Sequence, residues 1–184
     1  MGISSQLEGV ALKLREDPPS ARQHLDLALK MARHSITEAR RSVMDLRTGE
    51  LEAEELSAAL ASSARRWVAG TSVNIHLAIS TVKLQLSKNL EQNLLRIAQE
   101  AVTNAIKHAK ANVIRIEFGV HGQVLRLSVG DDGQGFEPSN AFTISDGHFG
   151  LLGMRERAER SGGCFHLASS PSSGTEIEVT IPIG

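Results

Sequence analysis

Cysteine occurs once in this chain of 184 residues, tyrosine not at all, and proline five times. The lone Cys164 excludes an internal disulfide and a cysteine-built zinc site, and suits a reducing compartment. Aromatic residues make up only 3%, too few for a platform that stacks nucleic-acid bases. Neither sign of charge dominates. The net charge is −1 and the pI about 6.7, which removes a general electrostatic grip on DNA or on an anionic membrane. No apolar run approaches the ~18 residues of a spanning helix, and neither a secretory nor a lipidation signal opens the sequence. What is present, 41% apolar and 22% charged residues, is globular composition. The expectation is a cytoplasmic chain of one domain plus an appendage, or of two small domains.

Two halves differ in period, and no internal repeat is evident. In the first, apolar residues recur at alternating steps of three and four: Ile3, Leu7, Val10, Leu14 before Pro18-Pro19, then Leu25, Leu29, Ala32, Ile36, Ala39, Val43, Leu46. This is a heptad seam, interrupted by a proline turn after which Ser20 is a candidate N-cap. The segment reads as an antiparallel helical hairpin with unequal arms, about 28 residues (~42 Å) against about 15 (~22 Å). The longer arm lacks a full partner, which predicts homodimerisation through the seam and a first helix cut short, so that Met1-Gly2 is not the natural beginning. The plainer alternative is a monomeric hairpin folded back on the second half.

An amphipathic helix over 51–68 connects the halves. Beyond it, Val73, Ile75, Leu77 and Ile79 alternate like a strand, and 88–110 carries one apolar helical stripe from Leu90 to Ile106. Strands at 114–118 and 125–129 join at His121-Gly122. Residues 133–150, rich in Gly, Ser and Asn, read as a long loop. A helix over 151–161 ends at Gly162-Gly163, and strands at 164–169 and 175–182 close the chain around a Pro171–Gly174 turn. Hairpin-linked strands with few helices predict an α+β two-layer sandwich, with helices on one face of a mixed sheet.

Four polar constellations lie along this half. On the helix at 88–110, Glu100, Asn104, Lys107 and His108 fall within about a third of the circumference at 100° per residue, flanking the apolar stripe. A carboxylate, an amide oxygen and two potential cations suit a ligand with phosphates and a hard cation; a solvated helix side is the bland reading. The strand ending at Val129 runs into Gly130-Asp131-Asp132-Gly133-Gln134-Gly135. There a carboxylate at a strand edge could accept from an exocyclic amine and glycines could bring backbone close to a nucleotide; an ordinary Asp-Gly turn is the alternative. A calcium loop from Asp131 fails because its twelfth position is Phe142. The Walker and dinucleotide-binding glycine patterns are absent. Next, Gly147-His148-Phe149-Gly150-Leu151-Leu152-Gly153-Met154 ends the loop and opens a helix, a form that suits a lid and a phosphate-binding helix start. Finally, Gly174-Thr175 opens the last strand.

In this order the four resemble the boxes of sensor histidine kinases. Leu94-x-x-Ile97-Ala98-Gln99-Glu100 through Asn104 and Lys107-His108-Ala109 is similar to their N box, and Asp131-Asp132-Gly133-x-Gly135 to their first glycine box. The stretch Gly147 to Arg157 is similar to the second glycine box of the subgroup paired with LuxR/NarL-type response regulators, and Gly174 to Pro182 to the terminal strand. The resemblance covers the chain from about residue 20 onward. It implies a Bergerat-type ATP-binding fold of the gyrase, chaperone, histidine kinase and mismatch-repair kind, with ATP and Mg2+ under a mobile lid. By that resemblance Asp131 binds the adenine amine, Gly133 and Gly135 shape the pocket, Asn104 holds Mg2+, and Glu100 orients or activates the reacting group. Lys107, His108 and Thr175 face phosphates, while Gly147, Gly150, Leu151, Gly153 and Met154 form the lid's hinge and wall.

It also implies three regions: a partial dimerisation and phosphoacceptor hairpin over 1–48 that forms a dimeric four-helix bundle, a linker helix over 49–70, and a catalytic domain over 71–184. The family's phosphorylated histidine box is not found. His24 and His34 precede Leu and Ser and read as solvated bundle residues, so the expectation is ATP binding without autophosphorylation on the family's histidine. Implied partners are a second copy and a LuxR/NarL-type regulator. A serine kinase of the same fold, or a degenerate dimerisation module without nucleotide, are the competing readings.

Overall fold

The computed structural model describes residues 3–14, 17–26, 28, 29, 31, 32, 36, 56–80, 86–138 and 149–183. They fall into two units, one of Met1–Glu52 with Phe142–Phe149, the other of Ala53–Ala141 with Gly150–Gly184. Ala39, Val43 and Leu46 of the expected seam, His34, the first turn of the expected connecting helix and Gly147 lie outside the described residues. Among the described residues, no helix is long and apolar enough to cross a membrane.

In the first unit α1 spans Ile3–Lys13, and a second helix, α2, covers 18–26, with 28, 29, 31, 32 and 36 also helical. Asp17, not Ser20, caps α2. Its Oδ1 accepts from Ser20 N at 3.2 Å and its carbonyl from Ala21 N at 3.0 Å, while Pro18 and Pro19 take the first helical positions, where a missing N–H costs nothing. The two helices run antiparallel. His24 Nδ1 donates to Gln6 Oε1 at 2.6 Å and its ring lies against Gly9, about 3.1 Å from where a β-carbon would stand. His24 is therefore a half-buried packing residue rather than a solvated one. The apolar seam is not what this hairpin buries: Gln6, Ala21 and Ala28 are buried, whereas Leu7, Leu25, Leu29 and Ile36 are exposed.

The second unit is built on a five-stranded mixed sheet. Helix α3, Leu56–Val68, precedes β1, Asn74–Ile79, and α4, Lys88–Asn104, which runs into a π-helical turn at Ala105–Ala109. Then come β2, Val113–His121, β3, Val124–Asp131, α5, Phe149–Arg160, β4, Cys164–Ser169, and β5, Thr175–Pro182. The strand order is β1-β2-β3-β5-β4, with β1 parallel to β2 and every other pair antiparallel. The hairpin turns at Gly122-Gln123, one residue beyond the expected His121-Gly122, because His121 still pairs with Val124.

Period-2 alternation sends one side of β2, β3 and β5 to the core. Ile116, Val129 and Ile177 stand in one register row, Phe118, Leu127 and Val179 in the next, and all six are buried. Helix α4 packs on β3, and α3 on α4 and β1. Because Leu56, Leu60 and Ala64 are buried, α3 is a layer of this unit as well as a connection. The α4 stripe Leu94, Ile97, Ala98, Ala101 and Val102 is buried as its spacing predicts; truncating such a leucine costs about 2–5 kcal/mol. Ser87 opens α4, its side chain accepting from Leu90 N at 3.3 Å. The other side of the sheet is polar: Arg126 Nε donates to Glu178 at 2.6 Å and Ser128 Oγ to Glu176 Oε1 at 2.8 Å.

Helix α5 lies antiparallel beside α4. Asn93, near the start of α4, donates to Ser161 just beyond the end of α5 at 3.1 Å, while Gly150 in the first turn of α5 meets Glu100 and Asn104. This juxtaposition carries the polar residues of α4 into one place.

Candidate functional site

Strand β3 carries Asp131 to its last position, opposite Thr175 of β5. The carboxylate Oδ1 accepts from Gly133 N at 2.8 Å. Burial pushes the Asp131 carboxyl above the ordinary aspartate range, and the like charge of Asp132 adds to it, against the N–H groups of Gly133 and Thr175 that favour the ionised form. Alternation along the strand turns Asp132 the other way. Its Oδ1 accepts from Asn112 N and Val113 N, both at 2.8 Å, and these bonds lower its pKa. One aspartate of the pair therefore pins the strand end while the other is left half-buried.

The loop after Asp131 is closed on both sides by backbone. A β-carbon at Gly133 would run into the carbonyl of Ala109, and one at Gly135 into the carbonyls of Ser170 and Gly174. Gly135 also has φ of +56°, so it needs glycine on both counts. Gln134 N donates to Ala109 O at 2.8 Å and Ser172 N to Gln134 O at 2.7 Å. Ser169, at the end of β4, ties the same corner: its Oγ accepts from Phe136 N at 2.9 Å, lies 2.9 Å from Gly174 O and 3.0 Å from Thr175 Oγ1. Thr175 thus stands at the Asp131 end by backbone register and by its hydroxyl contact with Ser169.

One helical turn away, Glu100 and Asn104 stand at i,i+4 under the first turn of α5. A β-carbon at Gly150 would be 2.5 Å from Glu100 Oε1 and 3.4 Å from Asn104 Nδ2. A carboxylate beside the start of a helix sits in the favourable half of its dipole. Lys107 and His108 follow past the end of α4. They lie in the π-turn, whose wider winding advances each residue by less, and both are exposed. Leu151 and Met154 are buried, at 6% and 0% exposure. Gly153 is half-buried within α5.

The structure thus brings Asp131, Gly133, Gly135 and Thr175 into one cluster and Glu100, Asn104 and Gly150 into another, with the Lys107–His108 turn between them. Sequence reading missed Ser169, Gln134 and Asp132. Of these only Asp132 left a signal, its alternation with Asp131.

A model of histidine kinase-, DNA gyrase B- and HSP90-like ATPases matches residues 89–184, the span that holds both clusters. The chain belongs to this family. A second model, of histidine kinases, matches residues 1–51, and the two parts are homologous to the ATP-binding and dimerisation domains of sensor histidine kinases. The chain is 33% identical over 186 residues to an uncharacterized sensor-like histidine kinase of Chloroflexus aurantiacus, covering 98% of this chain and 31% of that protein. It is 30% identical to the sensor histidine kinase LiaS of Bacillus subtilis, covering 98% and 49%. It therefore spans less than half the length of these relatives. The histidine kinase domain of a blue-light activated histidine kinase of Erythrobacter litoralis has the same fold, with a TM-score of 0.64 at 19% identity over 98% of this chain and 95% of that one.

Proposed function

We propose that this histidine kinase chain binds Mg-ATP between its two clusters and serves the transfer of the γ-phosphate to a histidine, and from there to a LuxR/NarL-type response regulator. The carrying observation is Asp131, a half-buried carboxylate at a strand end, beside a two-glycine loop held tightly by the end of α4 and the β4–β5 turn. A carboxylate so placed suits the exocyclic amine of adenine.

The donor set fits the nucleotide and its cation. Among the described residues no three His, Cys, Asp or Glu side chains gather to hold a metal ion. A cation here would thus be shared between the Asn104 amide oxygen and phosphate oxygens, the arrangement Mg2+ favours. When bound, Mg-ATP supplies the transferable phosphoryl group and the neutralisation of its charge. The chain's own residues bind and orient: Asp131 accepts from the base, Lys107 and His108 stand where phosphates would pass, and Glu100 orients or deprotonates the acceptor. Gly150 admits the first turn of α5 to the reacting end.

The hairpin is proposed as the dimerisation element. Leu7, Leu25, Leu29 and Ile36 are 42–52% exposed in the single chain, which supports a partner helix pair that covers them. His24 is held by Gln6 and Gly9, which supports a packing role for it; the phosphoacceptor is assigned to neither His24 nor His34.

Calorimetric titration with Mg-ATP tests the nucleotide reading. Saturable binding is expected, lost in Asp131→Asn; no binding by the wild type withdraws the assignment and leaves the degenerate dimerisation module. Light scattering tests the second copy, a monomer at micromolar concentration counting against it.

A further inference from the structure

Gln134 lies between Gly133 and Gly135 with its side chain exposed. Its N–H donates to Ala109 O at 2.8 Å, and its carbonyl accepts from Ser172 N at 2.7 Å. Its side-chain Nε2 donates to His108 O at 2.8 Å. The carbonyls of His108 and Ala109 belong to the last turn before Lys110, which leaves the helix with φ of +53°. Last-turn carbonyls have no partner inside their own helix. Gln134 therefore caps the C-terminal turn of α4 from 26 residues away in sequence.

We propose that Gln134 is a positioning residue for the triphosphate. It ties the π-turn that carries Lys107 and His108 to the loop that begins at Asp131, so the base end and the phosphate end of the site keep a fixed separation. The inference rests on the reading that Lys107 and His108 meet phosphates. Its physical basis is preorganisation: a π-turn at a helix end is a loose support for two exposed side chains, and an outside tether removes motion that binding would otherwise have to freeze. The two backbone bonds of Gln134 survive any substitution there, so changing the side chain removes only the link to His108.

The test compares adenosine with Mg-ATP on the full chain by calorimetry. Gln134→Leu keeps the size and loses the donor; Gln134→Glu keeps the shape and sets a carboxylate against the His108 carbonyl. Adenosine affinity is expected to stay within about twofold in both, because Asp131 and its glycines are untouched. Mg-ATP affinity should fall about two- to tenfold in Gln134→Leu, the worth of one net hydrogen bond, and further in Gln134→Glu. Equal losses for both ligands would make Gln134 a general structural residue and overturn the proposal, as would no loss for either. A wild-type chain that binds neither ligand overturns the nucleotide reading, and this inference with it. Wild-type binding with an unchanged triphosphate increment in the variants overturns this inference alone.

Discussion

Gly150 stands so close to Glu100 that a β-carbon on it would be 2.5 Å from the Glu100 carboxylate oxygen Oε1. The contact joins two helices separated in the chain by strands β2 and β3, and it decides how near the first turn of α5 comes to the polar end of α4. The Cα of residue 150 is thus part of the wall that Glu100 faces.

Gly150→Ala should fold, because the obstructed atom is the far end of a flexible side chain that can swing aside. A stability loss below about 1 kcal/mol is expected in chemical denaturation, where alanine's better helix propensity offsets part of the crowding. Function should suffer more. Displacing Glu100 is expected to lower ATP turnover, or phosphotransfer in the longer protein, by tenfold or more, with Mg-ATP affinity nearly unchanged. Unaltered turnover would remove Glu100 from the reacting end.

Gly135→Ala and Gly162→Ala make a controlled pair. Both positions have positive φ, +56° and +75°, so each substitution carries the left-handed penalty of about 1–2 kcal/mol. A β-carbon at Gly162 meets nothing within 4 Å, whereas at Gly135 it runs into the backbone carbonyls of Ser170 and Gly174. Gly135→Ala is expected to cost at least about 2 kcal/mol more than Gly162→Ala in urea unfolding. Equal losses would mean that the β4–β5 turn yields without strain.

The aspartate pair predicts opposite responses to pH. Burial raises the Asp131 pKa, so its ionisation opposes folding, a penalty absent below the ordinary carboxylate pKa of about 4 and growing as pH rises through it. Asp131→Asn should therefore be more stable than wild type at pH 7, with the difference vanishing near pH 3, while losing nucleotide binding. Asp132 has its pKa lowered by the N–H groups of Val113 and Asn112, so its contribution is present above about pH 4 and fades as pH falls through the lowered value. Asp132→Asn should be less stable at pH 7. Melting curves across pH 3–7 check both signs.

Ser169→Ala removes one hydroxyl that serves Phe136 N, Gly174 O and Thr175 Oγ1. A loss of about 1–3 kcal/mol is expected, since a half-buried donor and acceptor are left without their partner. Mg-ATP and adenosine affinities should fall together, because this corner holds the Asp131 end. Ser169→Thr, which keeps the oxygen, should recover most of both. A Ser169→Ala chain as stable as wild type would dismiss the hydroxyl as a tie.

Local pattern carried much of the fold. Period 2 at 114–118, 125–129 and 175–182 located strands with their buried faces, and the Leu94–Val102 stripe located the face α4 buries, because both signals are set by which side of a single element meets water. The Asp131–Gly135 run marked a tight strand-end loop through residue types alone. Other features depended on residues far apart in sequence. The π-turn that carries Lys107 and His108 is tied by Gln134 from another loop. Thr175 joins Asp131 only through the β3–β5 register, and Ser169 matters only because two turns meet at its hydroxyl. Leu151 and Met154 belong to an apolar spacing whose burial depends on the rest of the fold. The sequence by itself therefore determined the elements, their apolar faces and the chemistry present. Tertiary structure alone decided which polar groups converge, since hydrogen bonds between distant backbone segments leave no period in the chain that makes them.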